Sequence, residues 1–193
     1  ICAYEYKGYW KDVGTLHSYW EANMELIDII PEFNLYEEFW KIYTKSDVIP
    51  PQYIADTSRI EGSIIGEGSE IYGEIYNSVI GAGVTIGEGT VVHDSIIMNG
   101  TVIGKNCHVD KSIISEYVEI ADQVTLGAFE EVENKVAPKI YAGGLATVGE
   151  YSKIPEGVTI GKNTAIFGET VPEDYPEHIL ASGETLIKVG ELS

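Results

Sequence analysis

Positive charge is scarce in this chain. Its 193 residues carry 12 Lys plus Arg against 31 Asp plus Glu, a formal charge of −19, and Arg59 is the only arginine. Neutralising a nucleic-acid backbone takes clustered Lys and Arg, so nucleic acid is set aside as a partner, and an anionic membrane surface is disfavoured on the same ground. A small phosphorylated ligand would have to be held by a local group of lysines, a metal or backbone amides rather than by the overall field. Long apolar runs are missing too. The opening Ile1-Cys2-Ala3-Tyr4-Glu5-Tyr6 has neither a basic flank nor an extended apolar stretch, so neither a membrane span nor a secretory leader is read. Cysteine is limited to Cys2 and Cys107, which lack metal spacing and read as free thiols in a reducing cytoplasm. An initiator Met is also absent, and the chain opens in what reads as the middle of a strand, as a piece of a longer protein would.

What is present is repetition on top of 44% hydrophobic content, enough for a packed core. Ser78-Val79-Ile80, Ser95-Ile96-Ile97 and Ser112-Ile113-Ile114 follow one another at seventeen residues. Within each copy the aliphatics step by six, six and five: Ile80, Ile86, Val92; then Ile97, Ile103, Val109; then Ile114, Ile120, Leu126. Glycine follows the aliphatic at Gly66, Gly81, Gly87, Gly104 and Gly127. A six-residue step with one buried aliphatic suits a short strand plus a tight corner, and corners favour residues that reach positive φ cheaply. Three steps close one triangular coil. Stacked coils would put Ile80, Ile97 and Ile114 in one interior file that no single coil could bury. The fold class expected is therefore mainly β, a parallel β-helix of hexapeptide repeats over residues 59–171.

Irregularities in the repeat are informative as well. Ser63 precedes Ser78 by fifteen residues rather than seventeen, so the first coil is shorter. The pattern breaks after Leu126 and resumes at Val148, Ile154, Ile160 and Ile166, which implies an excursion at about 127–147 and one more coil. That excursion is a candidate interaction surface, with a disordered acidic insert as the alternative. Residues 172–193 read as a C-terminal tail.

Before the coils, Leu16, Tyr19, Trp20, Met24, Leu26, Ile27 and Ile30 are spaced for an amphipathic helix, with Thr15 or Ser18 as N-cap and Pro31 as terminator. Residues 31–58 read as a linker ending near Pro50-Pro51, in which Trp40 and Tyr43 would pack against the solenoid end.

The string Gly8-Tyr9-Trp10-Lys11-Asp12-Val13-Gly14-Thr15 resembles the sugar-nucleotide pyrophosphorylases. Continued through Ala22-Asn23-Met24-Glu25-Leu26, Pro50-Pro51-Gln52-Tyr53-Ile54, Glu70-Ile71-Tyr72-Gly73-Glu74 and Asn77-Ser78-Val79-Ile80, it resembles the glucose-1-phosphate adenylyltransferase family in particular. The likeness implies that residues 1–30 are the terminal strand and helix of an α/β nucleotidyltransferase domain and that the β-helix winds left-handed. It further implies AMP transfer from ATP to glucose 1-phosphate in glycogen biosynthesis, in the cytoplasm, with Mg²⁺ held between two aspartates. The second of those aspartates falls on Asp12, as metal ligand and catalytic residue, and Trp10 falls on a position lining the sugar-phosphate pocket. The family's Gly-rich nucleotide loop, first metal aspartate and phosphate-gripping lysine would lie upstream of Ile1, so this chain alone is expected to be inactive and to serve as an oligomerisation and regulatory module. A homo-oligomer formed through the β-helix is the partner expected. Relatives with a degenerate Trp-x-Asp motif act as non-catalytic regulatory subunits; retention of Asp12 favours the catalytic type.

Two rival readings use the same solenoid. A hexapeptide acyltransferase would employ a catalytic histidine, for which His93 and His108 are the candidates. A zinc site is disfavoured because these two lie fifteen residues apart, out of register, while His17 and His178 lie outside the repeat. Solvent-facing corner histidines are the simpler expectation.

Overall fold

In the computed structural model, which describes residues 2–28, 31–35, 38–39 and 48–188, short strands wind into a three-sided parallel β-helix. Side one is a six-stranded sheet running from Tyr53–Ile54 to Lys153–Ile154; sides two and three have seven strands each, from Arg59–Glu61 to Ile179–Leu180 and from Ile64–Ile65 to Thr185–Ile187. Every pairing is parallel, and apart from a shift after Leu126, where Ala128 pairs with Gly161, the strands stay in register, so identical positions stack. Side three aligns Ile65, Ile80, Ile97, Ile114, Val148, Ile166 and Leu186. Side one aligns Ile86, Ile103, Ile120 and Ile154, and side two Val92, Val109, Leu126 and Ile160. The three files meet in one continuous core from Ile71 to Ile166. Each fully buried aliphatic contributes about 1.5–3 kcal/mol, realised only when a neighbouring coil covers it.

The recurring serine has a structural task beyond small size. Ser78, Ser95 and Ser112 are fully buried. Ser78 and Ser95 donate their hydroxyls to the carbonyl two residues back (Tyr76, 2.7 Å; His93, 2.7 Å) and accept the amide of the serine one coil on (Ser95, 3.1 Å; Ser112, 3.0 Å). The chain turns immediately before each serine, at Asn77, Asp94 and Lys111, with φ of 44, 47 and 43°. Asn and Asp tolerate this left-handed region; Lys111 is held there by the same corner that its neighbours form.

The excursion is ordered, which overturns the disordered-insert alternative. Asn134 is buried and donates to the Asn163 carbonyl (2.8 Å) while its own carbonyl accepts from Val136 (3.0 Å) and Ala137 (2.8 Å). Asn163 in turn accepts from the Gly144 amide (2.8 Å) and donates to the Val132 carbonyl (2.9 Å). Two buried asparagines thus staple the loop to the solenoid, and after it the files resume with Ile114 pairing Val148.

Three boundaries differ from expectation. Residues 172–193 do not form a tail throughout, because Ile179–Leu180 and Thr185–Ile187 pair with the preceding coil. The solenoid also starts inside the expected linker, where Tyr53–Ile54 pairs with Glu70–Ile71. Trp40, Tyr43 and Ile30 lie outside the described residues. Residues 2–14 carry no strand: among the described residues that segment meets no backbone partner to form a ladder with. Its helix, Leu16–Glu25 (α1), is capped by Thr15 as expected, but Leu26 and Ile27 bond back only three residues, to Asn23 and Met24, and the helix tightens to an end well before Pro31. Among the described residues no helix is long and apolar enough to cross a membrane.

The last coil has no seventh strand on side one. A 3-10 turn, Pro172–Asp174, takes its place and buries Tyr175, whose hydroxyl lies 2.9 Å from that of Thr170. Burial pushes the Tyr175 phenol up to about 12. Because an unfolded tyrosine ionises near 10, the stability contributed by the neutral ring is complete below pH ~10 and is lost as pH rises through about 12. We expect Tyr175→Phe to blunt the fall in urea midpoint between about pH 10 and 12, at some cost at neutral pH. Ile97→Ala, in the middle of a file, should lower unfolding free energy by about 2–5 kcal/mol, whereas Val102→Ala, outward-facing and 44% exposed, should change it by less than about 0.5 kcal/mol; urea titration of each variant checks this.

Candidate functional site

Outward positions of side three explain where the helix goes. In the Ser-Ile-Ile repeat the second isoleucine points in and the first, Ile96 or Ile113, points out, yet both outward residues are buried. They form a second cluster with Leu145 and Met98, covered by Leu16, Tyr19, Trp20 and Met24 of α1. These four helix residues sit at the three- and four-residue spacing of one face. Trp20 fixes the docking polarity. Its indole N–H donates to the Asp94 carbonyl at 2.7 Å, and the Lys111 ammonium lies 5.3 Å from the ring centroid. Both partners belong to the positive-φ corner described above.

The segment leading into α1 carries the expected site residues, and its exposure alternates. Tyr9 and Lys11 are part-buried; Trp10, 77% exposed, and Asp12 face outward. Lys11 pairs with Glu25 and, at 3.4 Å, with Glu21, and the Tyr9 hydroxyl donates to Glu25 at 2.9 Å. The Lys11 ammonium, and then the Tyr9 hydroxyl, hold the Glu25 carboxyl below its usual range, while Glu25 raises both Lys11 and Tyr9. Asp12 accepts from the Gly14 amide at 3.0 Å through one oxygen, an Asx-type turn just ahead of the Thr15 cap. Trp10 and Asp12 are thus both exposed, two residues apart in one braced segment. Among the described residues, no second carboxylate joins Asp12 in a metal-holding group.

The histidines do not converge on a site. His93 and His108 lie on side-two strands rather than at corners, two register positions apart: His93 faces Asp110, and His108 faces Val91 and Thr125. His93 Nδ1 lies 2.9 Å from Asp94 and 3.7 Å from Asp110, and its ring follows Tyr76 and Arg59 in a column along the outer face. His178 falls within the solenoid, its carbonyl accepting from Thr159. His17 stacks on Trp20 and pairs with Glu21 at 3.2 Å. The bracing of the Trp10–Asp12 segment by Tyr9, Lys11, Glu21 and Glu25 was missed in the sequence; the signal was the i, i+4 pair of glutamates on the helix following a Tyr-x-Lys. Cys2 and Cys107 are both free thiols.

Comparison with known proteins agrees with this architecture. Residues 50–148 match the family described as GlmU-like, C-terminal hexapeptide, a match that supports a left-handed winding of these coils. A glucose-1-phosphate adenylyltransferase of Lachnospira eligens is 65% identical over 99% of this chain and 45% of its own length; that of Acetivibrio thermocellus is 43% identical over 98% and 44%. The Thermotoga maritima enzyme of the same name is 47% identical over 97% of this chain and 44% of its own length. The chain therefore spans less than half the length of the curated relatives it matches, in their C-terminal part. A hexapeptide transferase family protein from Anaplasma phagocytophilum superposes with a TM-score of 0.42 at 18% identity, covering 69% of this chain and 72% of that one, too loose a likeness to argue from.

The docking of α1 is directly testable. Trp20→Phe should keep most of the apolar contact and lose one hydrogen bond, about 0.5–1.5 kcal/mol, while Trp20→Ala should cost about 3–5 kcal/mol; amide hydrogen exchange in α1 and at Ile96 and Ile113 should accelerate in that order.

Proposed function

Because the chain belongs to the GlmU-like C-terminal hexapeptide family, we propose that it is the oligomerisation and regulatory portion of a glucose-1-phosphate adenylyltransferase, joined to the last segment of that enzyme's catalytic domain. The observation that carries this reading is the presence, in one chain, of the hexapeptide coils and a Trp10-x-Asp12 segment held by a helix docked on those coils. In the reaction, a phosphate oxygen of glucose 1-phosphate attacks the α-phosphorus of ATP, the bond to the β-phosphate bridging oxygen breaks, and pyrophosphate leaves with ADP-glucose formed. Negative charge builds on the phosphate oxygens, and the active site must offset it.

Asp12 suits a place at that centre. It is an exposed hard-oxygen donor with one oxygen engaged by the Gly14 amide. Mg²⁺ is bound through one or two carboxylates plus substrate phosphates and waters, so a single aspartate from this chain is a fitting contribution. When bound, the ion would neutralise charge on the phosphates. Asp12 would hold it, the Gly14 amide would orient the carboxylate, and the exposed Trp10 face would shield and align the sugar phosphate. The remaining groups would come from residues outside this chain.

Association through the solenoid is supported by its first coil, where Ile54 is 42% exposed and, among the described residues, the Tyr53–Ile54 and Arg59–Glu61 strands have a strand neighbour on one edge. A cytoplasmic setting is supported by the two free thiols.

The assay is pyrophosphate release from ATP plus glucose 1-phosphate by the protein with its preceding domain. Asp12→Asn should lower kcat on the order of 10²-fold or more. Absence of any pyrophosphate from the wild-type protein would refute the enzymatic reading. The chain alone should run as a dimer or larger by light scattering, and a monomeric mass at high concentration would remove the oligomerisation role.

A further inference from the structure

The alternation of exposure in residues 9–12 has two fixed points and two displayed side chains. Tyr9 and Lys11 turn toward α1, and both end on one carboxylate, that of Glu25. Trp10 and Asp12, the alternate residues, are exposed and make no contact with Glu25 or Glu21. Among the described residues no strand pairing holds this segment; besides the pairs with Glu25 and Glu21, the Tyr9 ring lies against Phe33 at 5.8 Å. We propose that Glu25 is a positioning residue that, by gripping the side chains before and after Trp10, sets the direction in which Trp10 and Asp12 are presented to the reacting phosphates.

This inference rests on the adenylyltransferase reading for its chemistry, although the grip itself does not. Surface ion pairs contribute little to stability, and stability is not the role argued here. Two donors converging on one acceptor define a direction as well as a distance, and a displacement of about 1 Å at a reacting centre can cost 10²-fold in rate. Glu25 is also well placed to hold that direction. It is the last residue of α1, and the opposite face of this helix is fixed to the solenoid by Trp20 bonding to the Asp94 carbonyl and by Leu16, Tyr19 and Met24 against Ile96 and Ile113. The position of Asp12 is thereby referred to the β-helix through α1, with Glu25 taking both Tyr9 and Lys11 and Glu21 taking Lys11 alone.

Testing it takes Glu25→Ala, Glu25→Gln and Tyr9→Phe in the protein with its preceding domain, beside Asp12→Asn. Two readouts are needed: hydrogen exchange of the peptide spanning residues 9–14, and kcat with the half-saturating Mg²⁺ concentration. Glu25→Ala should speed exchange in 9–14 about tenfold while exchange in the coils stays unchanged. It should lower kcat at least tenfold and raise the Mg²⁺ requirement several-fold, with KM for ATP within about twofold, since orientation rather than binding is lost. Glu25→Gln, which keeps an acceptor for Tyr9 but no charge for Lys11, should fall between, and Tyr9→Phe should show a milder version of the same pattern in a protein whose folding is not in question. Wild-type exchange in 9–14 of Glu25→Ala would show that no grip exists. Faster exchange with unchanged kcat and Mg²⁺ dependence, while Asp12→Asn is inactive, would show that the grip does not position Asp12; either result overturns the proposal. An inactive wild-type protein instead removes the adenylyltransferase reading, and the exchange data then judge the grip alone.

Discussion

Everything in this molecule depends on in-register stacking of short parallel rungs. A two- or three-residue strand has almost no stability of its own, since its few ladder bonds exchange for bonds to water and its single inward aliphatic remains half covered. Stacking solves both problems together. Ile97 is buried because Ile80 lies on one side and Ile114 on the other, and the Ser95 hydroxyl ties the corner of its own coil to the next. The hydroxyl ladder matters as much as the apolar files. A corner amide buried without an acceptor would cost about 1–3 kcal/mol, and it would do so at every turn.

A rigid rod of this kind makes a good reference surface. Side three turns isoleucine outward at Ile96 and Ile113, and these two need a cover. Helix α1 supplies it with four apolar side chains and uses its polar edge to hold the segment that precedes it. The same short helix therefore faces the solenoid with one side and the Trp10–Asp12 segment with the other, and its Lys111 and Asp94 contacts reach the strained corner of the coils. An element with such divided loyalties transmits orientation because neither face can shift without losing contacts.

The loop between Leu126 and Val148 shows how a solenoid accepts an insertion. Asn134 of the loop bonds backbone groups of the loop and of the coil beneath, and Asn163 on that coil bonds loop backbone at Gly144 and Val132. The aliphatic files then continue without a change of facing, because the chain re-enters at the corner it left. At the far end the missing seventh rung of side one is replaced by Tyr175, a ring large enough to cap the core where a strand would have exposed its edge.

Local spacing by itself determined the solenoid. Six-, six- and five-residue steps specify a three-sided coil, and Ile80, Ile97 and Ile114 stand in file because the period is a property of neighbouring residues along the chain. Thr15 as a cap was legible for the same reason. Trp10 and Asp12 were picked out by resemblance; the fold leaves both exposed, and among the described residues no second carboxylate joins Asp12 in a metal-holding group. Tertiary structure alone decided the rest: that the helix stops at Glu25, that the coils run past residue 171, and that His93 and His108 sit on strand faces. It also decided that the first isoleucine of each repeat is roofed by α1, and that Tyr9 and Lys11 meet at Glu25. Those outcomes turn on which surfaces remain uncovered once the rungs have stacked, a property of the assembled coils to which residues as far apart as Trp20 and Asp94 contribute jointly.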